Sequence, residues 1–156
     1  MKSTFFPHFT IGVDAYDAIP DICLDYGKTA VIVGGEKSRA AAEPLIRKAI
    51  EGKIEILGSF QYGDDATFEN AEALTRIPEI RKADMVFAVG GGRATDTAKW
   101  ATHLLKKPLF TCPTLASNCA SVTAVCIMYH PDHSFKGSIY RDRNAYHTFI
   151  NTEVIA

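Results

Sequence analysis

VGGGRATDTAK, residues 89–99, is the stretch on which the fold turns. It follows DMVFAV (residues 84–89), an apolar run short enough to be a buried strand. Three glycines end that run and an alanine-rich helix begins at once. Ala94, Ala98, Ala101 and Leu105 share its inner stripe, and the small alanines let it sit close to a sheet. Lys106 and Lys107 end the helix and Pro108 prevents its return. Glycine lets the main chain approach a ligand without side-chain obstruction. The first helical turn adds unpaired N–H groups and a partial positive charge. A strand, a glycine turn and a helix N-terminus together make a site suited to a pyrophosphate. The stretch is neither G-x-G-x-x-G nor a Walker loop, so on its own it is equally a tight turn with close helix packing. In that plainer reading Asp96 and Lys99 form an i,i+3 surface pair and Arg93 is solvated.

The same alternation continues outward. Residues 28–34 (KTAVIVG) read as a buried parallel strand. A helix follows, with Ala41, Leu45, Ala49 and Ile50 on its inner face, Pro44 in its first turn and Gly52 as its stop. Residues 54–60 are a second strand, residues 61–65 a polar turn, and residues 66–76 a helix capped by Asp65 or Thr67. Residues 109–112 are a fourth strand and residues 122–129 a fifth. After a turn at residues 130–134, extended segments at residues 135–140 and 146–151 suggest a hairpin-like tail. Repeated strand–helix–strand units imply a parallel sheet with helices on both faces, a Rossmann-like α/β domain spanning residues 1–156.

Composition narrows the function classes. The chain has 156 residues, 47% hydrophobic and 22% charged, as expected of one soluble domain. A formal net charge of -1 gives no general attraction to nucleic acid or anionic lipid. No apolar run is long enough to span a bilayer, and the N-terminal stretch lacks the apolar core of a signal peptide. Cys23, Cys112, Cys119 and Cys126 form no C-x-x-C pair, which suggests reduced, mostly buried thiols in a cytoplasmic protein. The chain stops abruptly at INTEVIA, so truncation is expected.

PTLASNC, residues 113–119, leaves the strand after the glycine turn and should lie beside it at the same sheet edge. Its hydroxyls, amides and free main-chain donors at Thr114, Ser117 and Asn118 suit a nicotinamide ribose or amide. It is equally an ordinary polar loop.

Taken together, GGGRATDTAK, then PTLAS, then a strand ending at Tyr129 resemble the iron-containing alcohol dehydrogenase superfamily, glycerol dehydrogenases in particular. The likeness covers roughly residue 29 onward. It implies the N-terminal cofactor domain of a dehydroquinate synthase-like fold, without the helical C-terminal domain. By matching position, Gly91, Gly92, Arg93, Ala94, Thr95 and Asp96 would surround the pyrophosphate of NAD or NADP. Thr114, Leu115, Ala116 and Ser117 would line the nicotinamide side. Thr123, Val125 and Tyr129 would contact the cofactor from the next strand.

The implied activity is NAD(P)-dependent oxidation of CH–OH groups or its reverse, on a small alcohol or carbonyl substrate. Glycerol dehydrogenases have Thr-Asp after PT-x-A-S, whereas this chain has Asn118-Cys119. Hydroxycarboxylate dehydrogenases, which reduce 2-oxo acids, have Thr-Cys-Ala there. Cys119 is thus a substrate-side residue that favours a 2-oxo acid or another carbonyl over glycerol, since a carboxylate would repel an anion. Cofactor choice turns on whether Gly35 or Glu36 matches the Asp of NAD-preferring relatives; Gly35 with Lys37 and Arg39 would tolerate NADP. The family's Zn or Fe, held by an Asp and two His, would belong to the full-length enzyme, so the chain alone should be inactive. His130 and His133 read as solvated turn residues. Homo-oligomerisation is left open. The alternatives are a non-catalytic nucleotide- or phosphate-binding module and a dehydroquinate synthase-like enzyme, which the PTLAS loop disfavours.

Overall fold

The computed structural model describes residues 6–156. Residues 1–5, part of the domain and of the N-terminal stretch assessed above, lie outside the described residues. In chain order come β1 (His8–Gly12), α1 (Ile19–Cys23), β2 (Thr29–Gly34), α2 (Glu36–Ile50), β3 (Glu55–Gln61), α3 (Phe68–Thr75) and α4 (Pro78–Lys82). They are followed by β4 (Met85–Gly90), α5 (Gly92–Leu105), β5 (Leu109–Pro113), β6 (Val125–Tyr129), β7 (Phe135–Tyr140), β8 (His147–Asn151) and α6 (Thr152–Ile155).

A six-stranded sheet has the order β1-β8-β5-β4-β2-β3, and its paired strands are all parallel. The β6–β7 hairpin forms a separate antiparallel pair. From β2 the chain steps through α2 to β3 on one side. From β4 it steps through α5 to β5 on the other. The winding direction therefore reverses between β2 and β4, where open α/β sheets form their crevice.

Alternation along each strand divides the core between the two faces. Ala30, Ile32, Phe87 and Phe110 pack with Ala42, Ile46 and Ile50 of α2. Val31, Val33, Val86 and Leu109 pack with Leu74 of α3, Ile80 of α4, and Ala98 and Ala101 of α5. The helices thus cover both faces, as the strand–helix alternation implies. No helix among the described residues is long and apolar enough to cross a membrane.

Several local expectations are corrected. The inner stripe of α2 is Ala42, Ile46 and Ile50; of the stripe read in the sequence, Ile50 is buried and Ala49 packs against the core, but Ala41 and Leu45 are exposed. The helix begins at Glu36, so Pro44 sits mid-helix instead of in the first turn. Pro44 and Ala40 are both on the exposed side, where water can take up the carbonyl that proline leaves without a partner. Residues 120–122 form a 3-10 turn, and the fifth strand starts only at Val125. The tail is a hairpin only as far as Tyr140. β8 inserts into the main sheet between β1 and β5. β1 and α4, which carry little periodicity, were not foreseen. Gly52 does follow α2, in the left-handed region at φ +72°.

Candidate functional site

Two neighbouring strands deliver the two sequence segments to one place. Gly90 at the end of β4 is in register with Pro113 at the end of β5. The Thr114 N–H donates to the Gly90 carbonyl at 3.3 Å. Gly91 is the N-cap of α5, and no side chain caps that helix end. Helix geometry leaves the N–H groups of Gly92, Arg93 and Ala94 without intrahelical acceptors. The loop lies directly over them. A Cβ on Gly91 would stand 3.0 Å from Leu115 Cδ1, and one on Gly92 would stand 3.3 Å from Asn118 Nδ2. Side chains at these positions would fill the gap between helix end and loop.

The first turn of α2 joins them. Gly35 caps α2, again without a side-chain cap bond. Ser38 Oγ lies 3.0 Å from Thr114 Oγ1. Two bare helix N-termini and a hydroxyl-rich loop therefore meet at the carboxyl ends of β2, β4 and β5.

Beside them opens a crevice of about 400 Å³. Gly92, Arg93 and Asp96 come from α5, Asn118, Cys119 and Ala120 from the loop, and Thr123, Val125, Ile127 and Tyr129 from β6 and its approach. Eight residues picked from the sequence thus share one cavity: Gly92, Arg93, Asp96, Asn118, Cys119, Thr123, Val125 and Tyr129. Gly91 lies at its rim under Leu115. Ala94 and Thr95 are buried; Ala94 can offer a ligand its main-chain N–H, whereas the Thr95 N–H already donates to the Gly91 carbonyl at 3.1 Å. Leu115, Ala116 and Ser117 are exposed on the loop, and Thr114 is half-buried at its base. Ala120 and Ile127 were missed. Ile127 was findable, because residues 123, 125, 127 and 129 share one face of an extended segment.

The Asp96–Lys99 pair is buried and does not lie on the surface: Lys99 is 0% exposed and Asp96 5%. Lys99 Nζ donates to Asp96 Oδ1 at 3.3 Å, to the Val125 carbonyl at 2.9 Å and to Thr123 Oγ1 at 3.3 Å. Asp96 Oδ2 accepts the Ile127 N–H at 3.1 Å. Burial pushes the Asp96 carboxyl upward, opposed by Lys99 and the Ile127 N–H. Burial likewise pushes the Lys99 ammonium downward, opposed by Asp96.

At the hairpin tip, His133 is not simply solvated. Its Nδ1 lies 2.8 Å from Oδ2 of the fully buried Asp65. Arg93 Nε lies 3.3 Å from Asp65 Oδ1, and its guanidinium stands 5.2 Å from the Tyr129 ring centre. Arg93 is therefore oriented, though its side chain is still 56% exposed. Of the two candidate caps for α3, Thr67 serves, accepting the Asn70 N–H at 3.0 Å.

Residues 7–151 match the family model described as iron-containing alcohol dehydrogenase. The chain belongs to that family. Over 95 residues it is 35% identical to a glycerol dehydrogenase of Thermotoga maritima, covering 61% of this chain and 26% of the relative. Over 117 residues it is 32% identical to a glycerol-1-phosphate dehydrogenase [NAD(P)+] of Methanoculleus marisnigri, covering 69% of this chain and 30% of the relative. The crystal structure of glycerol dehydrogenase from Schizosaccharomyces pombe matches 99% of this chain and 40% of that one, with a TM-score of 0.86 and 23% identity. That likeness establishes the α/β fold of this iron-containing alcohol dehydrogenase family member. The chain spans well under half the length of these relatives.

Proposed function

We propose that this chain holds a nicotinamide dinucleotide, NAD or NADP, for an oxidoreductase that interconverts an alcohol and a carbonyl compound. The observation that carries the reading is the convergence of the Gly90–Gly91–Gly92 turn with the Thr114 loop at adjacent strand ends. Family membership and the printed name of the Methanoculleus relative support it.

The residues fit a pyrophosphate. Glycines 91 and 92 leave room against the loop, and the first turn of α5 presents unpaired N–H groups. Arg93, held by Asp65, adds a guanidinium at the same end. Thr114 to Ser117 form the nicotinamide side, with Thr123, Val125 and Tyr129 as the opposite wall. Asp96 contributes as wall, because both its oxygens are already bonded and a carboxylate would repel phosphate. When bound, the nicotinamide supplies the hydride acceptor or donor. The protein's part is to orient that ring and keep water from it.

Cys119 opens onto the crevice. A thiol offers weak hydrogen bonding and cannot replace a carboxylate as acceptor for polyol hydroxyls. It also does not repel an anionic substrate, which favours a 2-oxo acid over glycerol. A metal does not fit here: among the described residues no group of three or more His, Cys, Asp or Glu is placed to hold one.

The test is titration of the 156-residue chain with NADH, followed by nicotinamide fluorescence. Saturable binding is expected, competed by NAD and NADP. Gly92→Asp, which puts a carboxylate among the α5 amides, and Ser117→Trp, which crowds the loop, should each weaken it at least tenfold, about 1.4 kcal/mol. Unchanged affinity in both folded variants would overturn the assignment.

A further inference from the structure

The crevice has one wall that the main sheet does not hold. β6 joins no strand of the main sheet: it pairs along its length with β7, and its far end is held by a main-chain bridge from Tyr129 to Thr67, with the Tyr129 N–H donating to the Ala66 carbonyl at 2.8 Å, so its middle takes its position from side chains. Among the described residues the main tie along its middle is the Lys99–Asp96 pair. Lys99 reaches the Val125 carbonyl and Thr123 hydroxyl, and Asp96 takes the Ile127 N–H. These bonds occupy main-chain groups of β6 while Val125, Ile127 and Tyr129 face the crevice.

We propose that Lys99 is a positioning residue for the dinucleotide, acting through Asp96 and the main chain of β6 to fix the hairpin wall against the helix that carries the phosphate site. The inference rests on the crevice being a dinucleotide site, as proposed above. Lys99 touches no ligand in this account. Its ammonium is fully buried and its nearest polar atoms are those of Asp96, Thr123 and Val125. A buried ion pair is a poor source of net stability, since the cost of desolvation offsets its attraction. What such a pair supplies is geometry, and here the geometry joins α5 to β6. The α5 end of the tie lies one turn below Gly92 and Arg93. At the β6 end the bonded residues, Thr123, Val125 and Ile127, themselves line the opposite wall.

Two variants test this. Lys99→Met removes the ammonium at similar length but leaves Asp96 buried alone. The double variant Asp96→Asn/Lys99→Met removes both charges, and the amide oxygen can still accept the Ile127 N–H. The double variant should fold with stability close to that of the parent. Both should bind NADH roughly tenfold more weakly, a coupling in the range of side-chain networks. Amide hydrogen exchange at residues 125–129 should quicken in both, without matching changes in β2 and β4. Binding linkage is reciprocal, so NADH should slow this exchange more in the variants than in the parent.

If the double variant folds and binds NADH as the parent does, Lys99 is not a positioning residue. If affinity falls while exchange in β6 is unchanged, the pair does not act by holding the hairpin and the proposal is equally overturned. If the parent binds no NADH, it is the dinucleotide reading that fails, while faster β6 exchange in the variants would still show the tie.

Discussion

Cys119 stands apart from the other cysteines. It is exposed at the crevice, whereas Cys23, Cys112 and Cys126 are buried. Burial pushes the Cys126 thiol up to about 11, and Cys23 and Cys112 further still. The thiolate is the reactive form, so the three buried groups should be inert near neutral pH. A disulfide reagent is expected to modify a single thiol quickly in the folded chain, Cys119→Ser should abolish that phase, and saturating NADH should slow it. Two fast thiols of equal rate, or no effect of the dinucleotide, would contradict the placement of Cys119. At this scale the sequence was informative where chemistry is local. The glycines needed at Gly91 and Gly92 were legible because bare N–H groups must follow a strand end. The Asp96–Lys99 contact was legible from its i,i+3 spacing, but its burial, its bonds to residues 123–127 and the Asp65–His133 contact were not, because those partners come from distant segments: Lys99 meets Val125 and Asp65 meets His133.

Among the elements, α2 shows how periodicity can mislead by one position. Ala41, Leu45 and Ala49 repeat every four residues, and so do Ala42, Ile46 and Ile50. A four-residue repeat does not say which row faces the sheet, since both rows are apolar and adjacent. The β-branched row wins because Ile46 and Ile50 fill the space beside Ile32 and Phe87. Ile46→Ala should therefore cost about 2–5 kcal/mol of stability, by chemical or thermal denaturation. Leu45→Ala, at a side chain 39% exposed, should change it by about 0.5 kcal/mol or less. Equal losses would return the helix to the face first read from the sequence. By contrast, α5 was placed correctly, because Ala94, Ala98 and Ala101 are small residues flanked by polar ones and leave no competing apolar row.

For the molecule as a whole, the distinction is between holding a cofactor and using it. The described residues bring the unpaired N–H groups of α5 against the Thr114 loop but include no set of three metal donors. The relatives are more than twice as long as the part matched. The 156-residue chain is expected to bind NADH yet neither oxidise glycerol nor reduce pyruvate, with Zn²⁺ or Fe²⁺ supplied, as judged by nicotinamide absorbance. Metal-dependent turnover by this chain would refute that division of labour. In a full-length protein containing it, a substrate panel should favour 2-oxo acids, and Cys119→Asp should shift preference toward polyols.

By itself the sequence determined the alternation of strands and helices, the glycine turn and the loop that partners it. These follow from short-range patterns: apolar runs, caps, breakers and main-chain freedom within a few residues. Only the tertiary structure decided that β8 inserts between β1 and β5, that the β6–β7 hairpin stands apart as a wall, and that Asp96 and Lys99 are spent inside the protein. Those outcomes depend on which distant surfaces meet, and burial of a charge is set by what covers it, which no local pattern encodes.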